Sequence, residues 1–316
     1  MTAGGADLEA LLRGRSVAVY GGTGLVGGAL AALVAGLGAA PVHAVARRAP
    51  ERVPPGVTFV RASVLDEAQM AAVPRADLAV FVAGATGDYL ADPPGAVEVA
   101  TLGFDRFLRS TAGAARRLLV GSARVYGPRS EATPLREQDE CRLRSPDTRN
   151  VYDGAKLVAE ALALHASTAA GPVVVARLGN VYGPSPDRAP RTSFAAFVAQ
   201  ARRERRIVVA GPPGSLRNHV HAEDAVLGLA RVLVLGRPGE AYNIGSMDHV
   251  TSEELARRIA AAAPFEVTVE LAAPRAPPDH MVLSIAKAGE QVGYAPARRL
   301  DEHLPPAVHL ELGRRS

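Results

Sequence analysis

The chain has 316 residues, of which 48% are apolar and 22% charged, proportions that exclude wholesale disorder and collagen-like repeats. Its net charge of +4 raises nucleic acid as a partner, but the densest basic run (Arg202, Arg203, Arg205 and Arg206 around Glu204) has no interleaved aromatics for base stacking and reads as a solvated helix face. Cys141 is the only cysteine, so an internal disulfide is impossible and a reducing compartment is expected.

The first 15 residues carry Asp7 and Glu9 and no long apolar core, so a secretory signal is not expected and a cytoplasmic protein is. Residues 17–46 contain no Lys, Arg, Asp or Glu and are long enough to span a bilayer. Seven glycines and Pro41 interrupt them, and the stretch resolves into a strand at Ser16–Tyr20, a glycine-rich turn, a helix at Leu25–Leu37 and a second strand at Pro41–Ala46. Such a βαβ unit buries both faces of its strands, hence the unbroken apolar runs. Further strands are predicted at Val57–Val60, Leu78–Ala83, Arg117–Val120 and Val173–Ala176, alternating with helices at Asp66–Val73, Ala96–Ala114 and Tyr152–Ala166. That alternation predicts a parallel sheet with helices on both faces. After Tyr182 the character changes. Pro and Gly cluster at Gly183–Pro186 and Gly211–Gly214, and helices are predicted at Thr192–Arg206, Asp224–Leu235 and Ser252–Ala263, the last capped by Thr251 or Ser252. The expected division is a dinucleotide-binding domain over residues 1–180, with segments near 219–245 returning to it, and a substrate-binding region over 181–316.

Gly21, Gly24 and Gly27 follow the first strand and open the first helix. The first permits a tight turn, the second lets backbone approach a pyrophosphate, and the third lets helix pack on strand, with the helix N-terminus facing the anion. The second strand ends in Arg47-Arg48, where an NAD site wants an acidic residue for the ribose diol. Two guanidiniums suit a 2′-phosphate instead, so NADP(H) is expected over NAD. Of the 36 basic residues only two are lysines, Lys156 and Lys287. Lys156 stands four residues after Tyr152, on the same helix face, and an ammonium beside a phenol favours the phenolate and fits it for acid-base work near neutral pH. Ser122 falls just past a strand's carboxyl end, where a parallel sheet presents its ligands; its hydroxyl is placed to hydrogen-bond a substrate carbonyl. A structural Tyr on an exposed helix and a surface Arg48 are the plainer readings of the same residues.

These residues resemble the extended short-chain dehydrogenases/reductases, in the nucleotide-sugar epimerase/dehydratase/ketoreductase branch, over nearly the whole chain. Gly21–Gly27 is similar to that family's Gly-x-x-Gly-x-x-Gly loop. Val82-Ala83-Gly84 resembles its fourth-strand segment, with Gly84 in place of Ala. Gly121–Gly127 resembles its active-site Ser/Thr segment, Tyr152 and Lys156 its Tyr-x3-Lys, Arg177–Pro184 its Asn-bearing stretch, and Arg217–Asp224 its Arg-Asp-Phe-x-x-Val-x-Asp segment. Tyr242-Asn243-Ile-Gly245 and Arg275 with Asp279 echo further landmarks. Ser63 stands where the family usually has Asp, an adenine contact.

The resemblance implies an α/β Rossmann-like doubly wound parallel sheet with a smaller mixed α/β C-terminal substrate domain. It implies catalysis by Ser122, Tyr152 and Lys156. Cofactor contacts are implied for Gly21, Thr23, Gly24, Leu25, Val26, Gly27, Arg47, Arg48, Ser63, Val64, Val82, Ala83 and Gly84, together with Tyr152 and Lys156. Substrate contacts are implied for Ser122, Ala123, Arg124, Asn180, Arg217 and Arg275. Dehydratases of the family carry an Asp-Glu pair where Ala123 and Arg124 stand, and its decarboxylases carry Glu at the position of Arg124. Without those carboxylates an elimination lacks its acid and base. Redox at one carbon remains: NADPH-dependent reduction of a nucleoside-diphosphate 4-keto-6-deoxyhexose, as in deoxysugar biosynthesis. The alternatives are a nucleotide-sugar 4-epimerase with tightly bound NAD and a non-catalytic NADP-binding sensor, the latter having no use for a Ser-Tyr-Lys set. Reduction of a non-sugar carbonyl is a further possibility. A homodimer through Ala96–Ala114 and Tyr152–Ala166 is expected, without nucleic acid or membrane. His219 and His221 alternate on a predicted strand with no third ligand at a recognisable spacing, so no metal is expected. Two readings of the Arg129–Asn150 segment stay open, a wall of the substrate pocket or a variable surface loop. Lys287 has no assigned chemistry.

Overall fold

β1 (Val17–Tyr20) is apolar and buried at every position, as a strand flanked on both sides and covered on both faces must be. It is the axis of the computed structural model, which describes residues 7–84, 92–143, 150–169, 171–183, 192–212, 214–273 and 277–313. A short α1 (Leu8–Leu12) precedes it; α2 (Leu25–Gly36), β2 (Val42–Ala46), β3 (Val57–Arg61), α3 (Glu67–Ala71) and β4 (Leu78–Phe81) follow. Next come α4 (Pro93–Ala100), α5 (Leu102–Ser110), β5 (Arg116–Ser122), a 3-10 turn (Ala123–Tyr126), α6 (Asn150–Ala169), β6 (Val173–Leu178) and β7 (Asn180–Tyr182). The remainder comprises α7 (Ser193–Glu204), β8 (Arg206–Val209), β9 (Leu216–His221), α8 (Ala222–Leu235), β10 (Ala241–Ile244) and β11 (His249–Thr251). The last elements are α9 (Ser252–Ala262), β12 (Thr268–Leu271), α10 (Ala286–Val292) and α11 (Leu300–Leu312).

Among the described residues a seven-stranded sheet runs β10-β6-β5-β4-β1-β2-β3, parallel at each pairing. One apolar core lies between it and α2, α8 and α10, including Leu30, Val34, Leu229 and Leu233. A second lies on the opposite face, where Phe81, Phe104 and Phe107 form an aromatic cluster against Tyr20. β10 pairs with β6, so the chain returns to the large sheet after leaving it. A three-stranded sheet β11-β9-β7 and a two-stranded β12-β8 make up the second region, around a third core that includes Phe194, Ile207, Leu255 and Leu304.

Three sequence expectations are corrected. The helix predicted at Ala96–Ala114 is two helices, α4 and α5, broken at Thr101, whose backbone (φ −103, ψ −69) caps one and opens the other. The break seats Gly103 against Val64, where a Cβ would stand 2.8 Å from the Val64 side chain. The basic run at 202–206 is not one helix face. Arg205 adopts the left-handed conformation that ends α7 (φ 54) and lies with its Cζ 3.5 Å from the centre of the Phe265 ring, while Arg206 begins β8. The strand predicted at Leu78–Ala83 ends at Phe81. Thr251, not Ser252, is the cap of α9, in a capping box with Glu254. No helix among the described residues is long and apolar enough to cross a membrane.

Lys287 acquires a role. Its Nζ donates to Ala241 O at 2.7 Å, lies 3.1 Å from Glu240 and stands 4.5 Å from the Tyr242 ring centre. It ties α10 to the edge strand β10.

Candidate active site

The carboxyl ends of β1, β4 and β5 meet at one edge of the large sheet, and the backbone there is packed too tightly for side chains. Gly21 has φ +92, and a Cβ on it would lie 2.7 Å from Ala83 N; one on Gly27 would collide with the Gly21 carbonyl and stand 3.0 Å from Val82 Cγ1. The turn is tied to β2 by hydrogen bonds from Gly21 N (2.8 Å) and Gly22 N (3.2 Å) to Val45 O. Gly24 is the N-cap of α2 and offers no side-chain cap, so the first N–H groups of the twelve-residue helix are left for an external acceptor. Thr23, Gly24, Leu25 and Val26 remain at least partly accessible around this helix start. A backbone cradle with uncapped donors fits the pyrophosphate of a dinucleotide.

Arg47 and Arg48 are exposed immediately beyond β2. Ser63 and Val64 follow β3, half-buried; Ser63 N donates to Gln69 Oε1 (2.9 Å), and its Oγ accepts from Leu65 N (3.2 Å). The side chain that replaces the family's Asp is therefore occupied in shaping its own turn.

β5 delivers Ser122 to the same edge, where its Oγ accepts from Arg124 N at 3.2 Å and caps the 3-10 turn. Lys156 comes from α6, is 5% exposed, and donates its Nζ to Val120 O at 3.2 Å. Burial lowers its pKa to about 8. A Cβ on Gly84 would stand 3.6 Å from this Nζ, so Gly84 after β4 opens directly onto the lysine. Tyr152, one turn earlier on α6, is half-buried, with its ring centre 5.9 Å from Lys156 Nζ and 5.9 Å from Arg124 Cζ. Arg124 is held by Asp153, with Nε to Oδ1 at 2.6 Å and Nη2 to Oδ2 at 3.1 Å. Ala123 is buried beneath.

The fold thus brings together the glycine turn, Val82–Gly84, Ser122, Arg124, Tyr152 and Lys156. Asn180 opens β7 next to the large sheet, in register with His219 of β9. Arg217 lies on β9 and is engaged by the Asp279 carboxylate and backbone carbonyl and by Leu216 O at 3.0 Å. Arg275 lies outside the described residues. Among the described residues no three His, Cys, Asp or Glu side chains converge as metal ligands. His219 is buried with its Nε2 unpartnered, and His221 caps α8 by accepting from Glu223 N at 3.3 Å.

Sequence reasoning missed a buried polar layer behind the site. Arg177 of β6 pairs with Glu160 of α6 (Nε to both carboxylate oxygens at 3.1 Å) and lies over the Tyr126 ring with Cζ 4.8 Å from its centre. Burial opposes the Arg177 charge, and its interactions with Glu160 and Tyr126 together more than offset it. Arg177 also donates to Glu137 O at 2.9 Å, while the Glu137 carboxylate accepts from Asn243 N at 2.7 Å. Leu135, two residues away, is buried and bridges to Leu283. Leu135 and Glu137 thus anchor the described part of the Arg129–Asn150 segment between the large sheet and the C-terminal region, while most of its other described residues are exposed. Asp153 was missed as well; its only sequence signal is an acid directly after the tyrosine of the Tyr-x3-Lys pair.

Comparison with known proteins is consistent with this geometry. Residues 17–245 match the model of the NAD dependent epimerase/dehydratase family. The dTDP-glucose 4,6-dehydratase of Streptomyces antibioticus is 29% identical over 264 residues, 80% of this chain and 76% of that protein. The UDP-glucuronic acid decarboxylase 6 of Arabidopsis thaliana is 30% identical over 194 residues, 60% of this chain and 56% of that one. Among solved structures, an epimerase of Methanothermobacter thermautotrophicus superposes with a TM-score of 0.85 at 25% identity, over 96% of this chain and 93% of that chain. The UDP-glucose 4-epimerase of Thermus thermophilus with NAD shares the fold, with a TM-score of 0.81 at 24% identity over 94% and 99% of the two chains.

Proposed function

The chain belongs to the NAD dependent epimerase/dehydratase family, and from that premise we propose that it is a reductase using NADPH on a nucleoside-diphosphate 4-keto-6-deoxyhexose. One observation carries the choice among the family's reactions. Dehydration across two carbons needs a carboxylic acid and a carboxylate beside the tyrosine; here Ala123 offers no proton, and Arg124 is a cation held by Asp153. The site is left with groups for redox at a single carbon.

The glycine turn and the start of α2 hold the pyrophosphate, with Gly21, Thr23, Gly24, Leu25, Val26 and Gly27 around it. Ser63 and Val64 flank the adenine. Val82, Ala83 and Gly84 line the path to the nicotinamide, and Arg47 and Arg48 take the 2′-phosphate. When bound, the dinucleotide supplies the hydride. Tyr152 gives its phenolic proton to the substrate carbonyl oxygen, Ser122 donates a hydrogen bond to that oxygen, and the Lys156 ammonium stabilises the resulting phenolate. The region after residue 180, with Asn180, Arg217 and Arg275, holds the sugar nucleotide. Val97 of α4, Leu102 of α5 and Val158 of α6 are large apolar side chains left exposed, and we assign that face to a homodimer contact.

Purified protein mixed with NADPH and a dTDP-4-keto-6-deoxyglucose is expected to oxidise NADPH, and Tyr152→Phe to slow this at least 100-fold. Interconversion of UDP-glucose without added cofactor would establish the epimerase instead. Full turnover by Tyr152→Phe would overturn the assignment of the acid.

A further inference from the structure

The side chains of β9 alternate: Leu216, Asn218 and Val220 belong to one face of its sheet, Arg217, His219 and His221 to the other. On the first face Asn218 is satisfied at both ends of its amide, donating to Ser246 O at 2.8 Å and accepting from Ser246 N at 3.1 Å. On the second, His221 accepts from Glu223 N at 3.3 Å. His219 is different. It is 2% exposed, and its Nε2 is buried with no hydrogen-bond partner among the described residues. A buried polar atom without a partner costs stability and calls for a reason. The family segment that Arg217–Asp224 resembles has Phe at this place, a ring free of that cost, so the sheet itself does not ask for an imidazole.

The neighbouring strand supplies the reason. β7 and β9 run parallel, and Asn180 is the register partner of His219. Such partners share one face of a sheet, on strands about 4.8 Å apart. Asn180 is half-buried, and Arg217, two residues before His219, belongs to the same face, where the Asp279 carboxylate engages it. An amide can present either its NH2 or its carbonyl to a ligand. Phosphate oxygens only accept hydrogen bonds, so towards a nucleoside diphosphate Asn180 has to present the NH2. Its carbonyl oxygen then turns back to the sheet and needs a donor. Burial first, then the charges of Arg217 and His249, lower the His219 pKa to about 4 and keep the ring neutral. A neutral imidazole carries one N–H and can hold it on Nε2.

We propose that His219 is a positioning residue for the sugar nucleotide: when a nucleoside diphosphate is bound it donates Nε2–H to Asn180 Oδ1, and so fixes the Asn180 NH2 towards the phosphates. The partner that Nε2 lacks is gained on binding. This rests on the reading above that Asn180 holds the sugar nucleotide. A nucleoside without phosphates gives Asn180 no reason to present its NH2, so the pair favours the diphosphate over the nucleoside. His219 acts through Asn180 and has no part in proton or hydride transfer, so its loss shows in affinity and KM and leaves kcat in place.

Calorimetry on the full chain, with NADPH saturating, measures the affinity of dTDP, UDP, GDP and CDP, and the tightest of them serves as the probe. His219→Phe is expected to weaken it about tenfold while thermal stability at pH 7 stays equal or rises, because an unsatisfied atom is removed. His219→Gln, whose amide nitrogen can stand in for Nε2–H, is expected to stay within about threefold of the original. Asn180→Ala weakens binding as well, and adding His219→Phe to it costs nothing more. The matching nucleoside binds the original and His219→Phe equally. In nitrogen-15 spectra of the histidine rings, the His219 Nε2 signal, identified by its absence from His219→Gln, shifts when the diphosphate is added. Unchanged affinity in His219→Phe, or losses for Asn180→Ala and His219→Phe that add, overturns the proposal; so does a His219→Phe that binds poorly and is also less stable, since the ring is then structural. Should His219→Phe fail to fold, the Nε2 signal decides, and its staying in place on binding overturns the proposal. Binding as described without NADPH oxidation by the keto sugar would sink the reductase reading and leave His219 in its role; oxidation with unimpaired binding by His219→Phe would do the reverse. Failure of all four diphosphates to bind the original protein would remove both this role and that of Asn180.

Discussion

Strands β1 and β4 inside the seven-stranded sheet and β9 at the middle of the three-stranded sheet β11-β9-β7 are largely buried, yet they are built from opposite chemistry. β1 and β4 bury only apolar side chains, and their cohesion comes from dispersion and removal of hydrocarbon from water. β9 buries Asn218, His219 and His221, and its cohesion depends on partners. Asn218 donates to Ser246 O at 2.8 Å and accepts from Ser246 N at 3.1 Å. A Cβ on Gly179 would come within 2.6 Å of its Oδ1, and one on Gly245 would collide with it. The apolar sheet tolerates exchanges that keep volume. The polar sheet tolerates only what preserves each hydrogen bond and each protonation state. The candidate active site sits on the rigid edge of the first, and the proposed sugar-nucleotide region is built on the second.

The largest effect that would break this contrast lies at the layer joining the two regions. Arg177 belongs to the large sheet, but its guanidinium is buried on Glu160 and on the Glu137 carbonyl. Arg177→Met should cost about 3–5 kcal/mol, because it leaves the Glu160 carboxylate buried without its cation. Urea unfolding measures this. A loss below about 1 kcal/mol would mean that the polar layer is replaceable, as apolar core positions are.

The next effect sharpens the contrast through pH. His219 is 2% exposed, and its pKa is lowered from 6.5 to about 4 by burial first, then by the charges of Arg217 and His249. The folded state therefore holds it neutral while the unfolded chain binds a proton below about 6.5. Its contribution is intact above pH 6.5 and is lost as the pH falls towards 4, by about 3 kcal/mol in all. His219→Phe should flatten that part of the stability profile relative to the original chain. Parallel profiles for the two proteins between pH 6.5 and 4 would show that the buried polar sheet is not pH-sensitive at this residue.

The same contrast explains what could be read from sequence. The parallel strands were legible because burial on both faces writes continuous apolar runs, and the glycine turn because close backbone approach forbids any Cβ. Tyr152 and Lys156 were legible because helical spacing puts them on one face. Asp153 and Glu160 were not, because their partners Arg124 and Arg177 arrive from the turn after β5 and from β6 only once the chain has folded. The break at Thr101 was invisible because the close approach that accompanies it, Gly103 against Val64, joins residues 39 apart in sequence. β8, β12 and α11 also escaped notice: the strands have four residues each, and α11 contains Pro305 and Pro306, which argue against a helix by missing donors.

The smallest effect is a gain. Lys156 belongs chemically to the polar class but is buried at the edge of the apolar sheet, where, among the described residues, its ammonium donates to the Val120 carbonyl. Its pKa, lowered from 10.5 to about 8 by burial, means that the folded chain holds the charge at a cost of about 3 kcal/mol at neutral pH. Lys156→Met removes that cost and strands one carbonyl, worth about 1 kcal/mol, so a net stabilisation of about 2 kcal/mol is expected. The sign reverses with pH. Between about 8 and 10.5 the unfolded chain binds the proton and the folded one does not, so the original protein gains on the variant as the pH rises through that window. Thermal unfolding of both proteins at pH 7 and pH 10 measures the difference. A variant less stable than the original at pH 7 would show that the ammonium is held by more than the carbonyl, and that the polar class of interactions extends further into the active-site edge of the large sheet.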